Sequence, residues 1–283
     1  MIRSVLLPFL RVCLLAAVFS VPIFRGAQVF AQALNPEAGE KLVITADGGL
    51  EWHRNEKFFR ALKNVRAQQG TLIIRSAVLI ARYKEGQGGA MTIQEVEAAG
   101  DVVIESSESK AYGERAVYNI DKGQAVMTGK GLKLITKEHT VTARERFEYL
   151  TTQGKLKAIG RAAATQGENR IEADELSAVF AQDKAGKRVL KTLEANGNVV
   201  ITTPTEVLRG ERGVYNATTN VAELSGNVRI KRGDNELEGD TAKVDMNTNV
   251  SSITGGAKGP DGRVRAVFYP GSEKKKNEEK KPE

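Results

Sequence analysis

Acidic residues recur once per repeat along this chain of 283 residues, and they are the first candidates for chemistry. Asp47, Glu114, Asp174, Glu211 and Asp240 each directly follow a glycine or an alanine. A row of carboxylates is able to bind calcium, and a pair of carboxylates is the basis of glycosidase chemistry. One acid per repeat on the polar side of a strand is more typical of a solvated surface. The pattern therefore favours neither a metal site nor a catalytic pair.

Other catalytic residue types are scarce. The sequence contains two histidines, His53 and His139, which lie 86 positions apart, and one cysteine, Cys13. It contains no Gly-x-Ser-x-Gly, no His-Glu-x-x-His and no phosphate-binding loop. We therefore predict a protein that is not an enzyme and that needs no cofactor and no metal.

Residues 1–33 read as a secretory signal peptide. An apolar stretch from Val12 to Ile23 precedes the small-residue cleavage site Ala31-Gln32-Ala33. Arg11 and Pro22 weaken the alternative of a retained membrane anchor, because a spanning helix needs about 20 apolar residues. Export with cleavage is the prediction, and a retained anchor in the inner membrane is the alternative.

The charge balance argues against nucleic-acid binding. The net charge is +7, and removal of residues 1–33 takes away three arginines and no acid, which leaves +4. The remaining charges alternate in sign and form no basic patch of the kind that nucleic-acid binders carry. Residues 271–283 have no apolar side chain and are predicted to form a disordered charged tail. The exported chain lacks cysteine, so packing and backbone pairing must hold it together.

A two-part unit repeats about seven times between these terminal segments. One part is seen in Ser225-Gly226-Asn227-Val228-Arg229-Ile230 and again at residues 99–104 and 196–201. The other part is seen at residues 110–119 and 208–216. The step from the first part to the second is 13 residues in five of six copies. A repeat of this size cannot bury its own apolar face, so residues 34–270 are predicted to form one array.

Within each unit, apolar and polar residues alternate, which is the period of a half-buried strand. Leu224, Val228 and Ile230 share one parity, whereas Glu223 and Arg229 take the other. Turn sequences separate the runs, and no run in the exported chain has a helical period. The prediction is an all-β, elongated antiparallel β-jellyroll of about 15 strands, built from about seven two-strand repeats.

Glycine recurs at a fixed place inside the predicted strands, as at Gly100, Gly197 and Gly226. Such glycines are expected to let every strand bend at the same level and so give two facing sheets, shaped like a taco. The inward residues are mainly Val, Ile, Leu and Ala, and aromatic residues make up only 6% of the chain. This interior is predicted to be underfilled and able to admit a ligand, although a dry core is an open alternative.

The repeat resembles that of the LptA/OstA-like family of lipopolysaccharide transport proteins. The run Ala222-Glu223-Leu224-Ser225-Gly226-Asn227-Val228-Arg229-Ile230 carries the resemblance, together with a run that has Gly239 thirteen residues after Gly226. The similarity spans roughly residues 41–268. It implies a periplasmic β-jellyroll that stacks end to end and carries lipopolysaccharide from the inner to the outer membrane.

The resemblance implies that lipid A acyl chains lie in the apolar groove. Lys130, Lys133 and Lys137 are candidates for contacts with lipid A phosphates at the rim, although a solvated rim is the simpler interpretation. Ten residues of inward parity are the predicted lipid contacts: Val102, Ile104, Tyr118, Leu176, Val199, Ile201, Leu224, Val228, Ile230 and Val244.

Partners are expected at the two ends of the array. The strands predicted at Leu42–Trp52 and Arg263–Phe268 contain no proline and no run of lysines that would block pairing. Strand addition would then join further copies head to tail, or would join LptC-like and LptD-like proteins. Two alternatives stay open. One is a membrane-anchored LptC-like component of the same pathway, and the other is a non-enzymatic structural or polysaccharide-binding repeat protein.

Overall fold

The structure, a computed structural model, describes residues 41–184, 188–248, 250–256 and 262–269. The predicted signal peptide at 1–33 and the predicted tail at 271–283 lie outside these residues. The described residues form eighteen β-strands and contain no α-helix, which confirms the all-β prediction. Two short 3₁₀ turns occur, at Gln87–Gly89 and Thr151–Gln153. No helix in the described part of the chain is long and apolar enough to cross a membrane.

The chain divides into two compact units. The N-terminal unit lies within residues 23–167 and 174–191, and the C-terminal unit lies within residues 168–173 and 192–283. Strands β12 and β13 have residues in each unit. The strands are β1 (Leu42–Thr45), β2 (Leu50–His53), β3 (Phe58–Gln69), β4 (Leu72–Glu85), β5 (Met91–Glu105), β6 (Ser109–Asn119), β7 (Gln124–Thr128), β8 (Lys133–Thr136), β9 (Thr140–Thr142), β10 (Arg146–Leu150), β11 (Lys155–Gln166), β12 (Asn169–Gln182), β13 (Arg188–Thr202), β14 (Val207–Asn216), β15 (Val221–Arg232), β16 (Asn235–Asp245), β17 (Val250–Thr254) and β18 (Arg265–Val267).

In the C-terminal unit each long strand contributes to two layers. The antiparallel register of β13 and β14 shifts between Asn196 and Val199, and the register of β15 and β16 shifts between Ser225 and Val228. We call the segments on one side of these shifts layer A and those on the other side layer B. Layer A contains residues 192–196, 212–216, 221–225, 241–245 and 250–254, and layer B contains residues 199–202, 207–209, 228–232, 235–239 and 265–267.

The register shifts fall where the sequence predicted a bend, at a pair of residues in the left-handed region. Gly226 has φ of 80° and Asn227 has φ of 50°, and Gly100 and Asp101 have φ of 81° and 47°. Glycine adopts this region without a steric penalty, and Asn and Asp tolerate it better than other residues with a side chain. The predicted irregularity inside the strands is therefore confirmed, and Asn or Asp after the glycine is part of its signature.

In four places two consecutive short strands take the place of one long strand. These pairs are β1 with β2, β7 with β8, β9 with β10, and β17 with β18. When each pair is counted as one strand, the eighteen described strands become fourteen, close to the fifteen predicted. The single edge strand predicted at Leu42–Trp52 is wrong in detail, because a turn at residues 46–49 separates β1 from β2. The strand predicted at Arg263–Phe268 shortens to the three residues of β18.

Apolar side chains of one parity form the core in both units. In the N-terminal unit Phe147 and Tyr149 of β10 are fully buried, and Met127 of β7 pairs with Phe147 and is also fully buried. The opposite face carries cross-strand ion pairs. Glu97, for example, accepts hydrogen bonds from Arg115 at 2.8 Å and lies 3.5 Å from Arg82. The hydrogen bond from Arg115, together with the charge of both arginines, lowers the pKa of Glu97 despite its partial burial.

One bulge lacks glycine, and this yields a stability prediction. Lys63 occupies the glycine position of the first repeat with φ of 62°, and its side chain is exposed. A non-glycine residue in this region costs about 1–2 kcal/mol. We expect Lys63→Gly to raise the unfolding free energy by about 1 kcal/mol, or Tm by about 2–4 °C. Thermal unfolding measures the change, with the exposed Lys133→Gly as the control; an unchanged Tm for Lys63→Gly would show that the bulge tolerates lysine.

Candidate functional site

A cavity lies in the C-terminal unit and is lined almost entirely by apolar side chains. Leu193, Leu224 and Val244 approach it from layer A, and Ile201 and Leu208 approach it from layer B. The remaining lining residues are Ile171, Ala195, Gly213, Val214, Tyr215, Ala222, Glu223 and Ala242. Residues from both layers therefore enclose one apolar space.

The pairing register explains why these residues meet. Leu224 lies opposite Gly213 of β14 on one side and opposite Ala242 of β16 on the other. Because side chains directly opposite in an antiparallel pair point to the same face, these three residues share the inward face of layer A. Glycine and alanine next to Leu224 leave room that larger side chains would fill.

The cavity is small: the space in it that a water molecule can reach is about 30 Å³. An interior that admits a ligand stays a prediction.

The predicted lipid contacts are placed as follows. Ile201, Leu224 and Val244 line the cavity, and Tyr118 is half-buried. Val199, Val228 and Ile230 are buried in the C-terminal unit, and Val102, Ile104 and Leu176 are buried in the N-terminal unit. The sequence analysis did not select Leu193, Leu208 or Tyr215 as contacts. The alternation that identified Leu224 applies to them equally and is the signal that was available.

A polar edge borders the cavity on layer B. Thr203, two residues beyond Ile201, is 7% exposed, and its Oγ1 accepts the backbone N–H of Glu206 at 3.1 Å. Glu206 itself lies two residues before Leu208, and Arg232 lies two residues beyond Ile230. Burial raises the pKa of Glu206, and the nearby charge of Arg232 opposes that shift. We call Thr203, Glu206 and Arg232 together the polar edge.

Two of the recurring acids hold residues of the strand bulges. Asp47 Oδ2 accepts a hydrogen bond from Asn64 at 2.7 Å, and Glu211 Oε1 accepts one from Asn227 at 2.7 Å. Both asparagines are left-handed bulge residues, so these acids support the bend of the neighbouring strand. Among the described residues, no group of three or more His, Cys, Asp or Glu side chains is placed to hold a metal ion.

The two histidines also serve local structure. His53 Nε2 lies 2.9 Å from Glu51 Oε2, and its ring stacks on Phe58 at 4.2 Å. His139 is buried at a turn, and burial lowers its pKa, although the charge of Glu138 and a hydrogen bond with Gln166 oppose that shift. The three lysines considered as phosphate contacts, Lys130, Lys133 and Lys137, are exposed.

Comparison with known proteins identifies the family. Residues 44–155 and, overlapping them, residues 140–250 match the model of the family described as LptA/(LptD N-terminal domain) LPS transport protein. The chain belongs to this family. Together the two matches span residues 44–250, which is most of the chain.

Among solved structures, the chain is similar to LptH from Pseudomonas aeruginosa, described as the LptA homologous periplasmic component of the conserved lipopolysaccharide transport device. The identity is 20%, the match covers 47% of this chain and 95% of LptH, and the TM-score is 0.39. No curated protein matches the chain significantly.

Proposed function

We propose that this chain is a periplasmic bridge protein that binds lipopolysaccharide and shields its lipid A acyl chains during transport from the inner to the outer membrane. The observation that supports this most is the apolar cavity of the C-terminal unit, enclosed by inward residues of both layers in a member of a lipopolysaccharide transport family. The role is binding and transfer without a chemical step.

The energetics explain why a carrier needs an apolar interior. Each methylene removed from water contributes about 0.8 kcal/mol, so exposing one acyl chain of a dozen carbons costs on the order of 10 kcal/mol. Inward Val, Leu and Ile side chains supply an environment that removes most of this cost.

Partners are proposed at the exposed strand edges. Leu42, Leu50 and Trp52 are exposed large apolar residues in the first strands, and Val264 and Phe268 are exposed around β18. Strand addition at these edges would join copies of this chain head to tail, or would join LptC-like and LptD-like proteins. Export by a signal peptide at residues 1–33 completes the proposal.

Site-specific photo-crosslinking in cells tests the cargo. We expect a probe at Ile201, which lines the cavity, or at the buried Ile230 to capture lipopolysaccharide. The outward Arg229, whose side chain is 64% exposed, is the matched control and should give no adduct.

The outcomes separate three cases, provided that each variant is exported and folded. An adduct at Ile201 but not at Arg229 supports cargo in the interior. Adducts of equal yield at both positions indicate binding along the surface. Absence of an adduct at Ile201 and Ile230 contradicts the proposal.

A further inference from the structure

The inward face of the C-terminal unit changes chemistry at the edge of layer B. Ile201, Leu208 and Ile230 are 2–7% exposed. Two residues away from them lie Thr203 and Glu206, in the turn between β13 and β14, and Arg232, the last residue of β15. The backbone N–H of Thr203 donates to Glu206 O at 2.9 Å, which continues the strand pairing into the turn, so the three polar side chains continue the apolar surface outward. An apolar cavity bordered by charged groups is the arrangement that suits an amphiphile.

The register places the charged groups side by side. Val207 and Lys231 form the last pair of this ladder, and Glu206 and Arg232 are the residues that follow it on the two sides. Their charges interact, because the charge of Arg232 lowers the pKa of Glu206 against the effect of burial. Both are half-buried, unlike the exposed Lys231, which points to the outer face. Thr203 fixes the turn that carries Glu206, since its Oγ1 also accepts the backbone N–H of Thr205 at 3.3 Å.

Two corresponding turns of the N-terminal unit place no permanent charge at their inward positions. Ser106 and Ser109 occupy one of them, where their hydroxyls lie 3.1 Å apart, and Thr136 and His139 occupy another. The hydroxyl groups are uncharged, and burial lowers the pKa of His139, which favours its neutral form. Lys137 of the second turn is a cation with an exposed side chain, whereas Arg232 is half-buried at the end of β15, the strand that carries the cavity-lining Leu224.

We infer that Arg232 binds the anionic head group of an amphiphile whose acyl chain lies in the cavity of the C-terminal unit. This inference rests on the proposed function and adds the head-group chemistry and its residue. Arginine suits phosphate and carboxylate, because its planar fork donates two parallel hydrogen bonds. Glu206 competes with the ligand for Arg232 and so limits the affinity for anions.

Isothermal titration of the full exported chain tests this with two amphiphiles of equal chain length, both below their micelle concentrations. Dodecyl phosphate carries the anion, and dodecyl maltoside carries a neutral head. We expect Arg232→Gln to weaken the binding of dodecyl phosphate about tenfold, which is the usual effect of losing a hydrogen bond to a charged group. Its affinity for dodecyl maltoside should change less than twofold.

Two further variants sharpen the test. Lys231→Gln removes the same charge one position away on the outer face and should leave both affinities unchanged. Glu206→Gln removes the competing carboxylate and should increase the affinity for dodecyl phosphate severalfold. Inorganic phosphate alone should bind at least a hundredfold more weakly than dodecyl phosphate, because it lacks the chain; equal binding would mean a free-phosphate site and would overturn the inference.

The failures are distinguishable. If the wild-type chain binds neither amphiphile, both the proposed function and this inference are wrong. If the wild-type chain binds both amphiphiles, three results would show that only the role of Arg232 is wrong. Arg232→Gln could weaken the binding of both amphiphiles equally, could weaken the binding of neither, or could have the same effect as Lys231→Gln. Circular dichroism of each variant verifies that the strands are retained.

Discussion

Gly213→Val should weaken the binding of a dodecyl chain about tenfold and leave the fold intact. Gly213 lines the cavity, and a Cβ added there would lie 3.7 Å from both Ala195 and Val199 and 3.8 Å from Leu224. These are ordinary van der Waals distances, so a Cβ fits at this position. Because Gly213 lines the cavity, we expect the two methyl groups of valine to occupy space that the ligand needs. Each excluded methylene costs the ligand about 0.8 kcal/mol, and two of them account for the tenfold loss.

Titration with dodecyl maltoside measures this loss, and thermal unfolding verifies the fold. Valine has a higher strand propensity than glycine, so Tm should stay the same or rise. Gly86→Val, at a position in the N-terminal unit where an added Cβ meets only Ala90 O at 3.7 Å, is the matched control and should bind normally. Unchanged affinity in Gly213→Val would place the acyl chain elsewhere in the protein.

Gly210 shows why the choice of glycine matters. A Cβ at this position would lie 2.8 Å from two atoms of Leu224, closer than real side chains approach. Substitution there overpacks the interior, which typically costs 1–3 kcal/mol. Loss of binding in a Gly210 variant would therefore report on folding, whereas Gly213 separates the ligand space from the fold.

The sequence was sufficient to predict the strands and the bends. Alternation along residues 221–232 assigned Leu224, Val228 and Ile230 to the core, and all three are buried. The recurring glycines predicted where the bends lie, because few residues other than glycine adopt φ near 80°. Lys63 hides one of these bends, since lysine at the glycine position gives no local sign of a left-handed backbone.

The cavity could be predicted only in part. Its two faces come from different halves of the strands, and pairing across layers leaves no periodic mark in the sequence. Composition does not locate the free space. Aromatic residues are few, but Phe147 and Tyr149 are fully buried in the N-terminal unit, whereas aliphatic side chains line most of the cavity in the C-terminal unit. Packing density depends on where large side chains fall and not on their total number.

Ala266→Pro should abolish head-to-tail association, if the proposed assembly is correct, and leave the subunit folded. The two-residue turn Gly233-Asp234 makes Arg232 and Asn235 a hydrogen-bonded pair, so the backbone groups of Glu236 and Glu238 point away from β15. They face Val267 and Arg265 of β18. The N–H of Ala266, between them, therefore points away from β16.

Proline at position 266 removes this donor from β18, and its ring blocks the approach of a further strand. Proline at Val267 would instead remove a bond within the subunit and would loosen β18 from β16, so it is the less informative variant. Ala266→Val retains the N–H and serves as the control. Sedimentation over a range of concentrations should show monomers for Ala266→Pro and longer species for Ala266→Val. Equal association of the two would mean that copies join through side chains alone, because only proline removes the backbone donor.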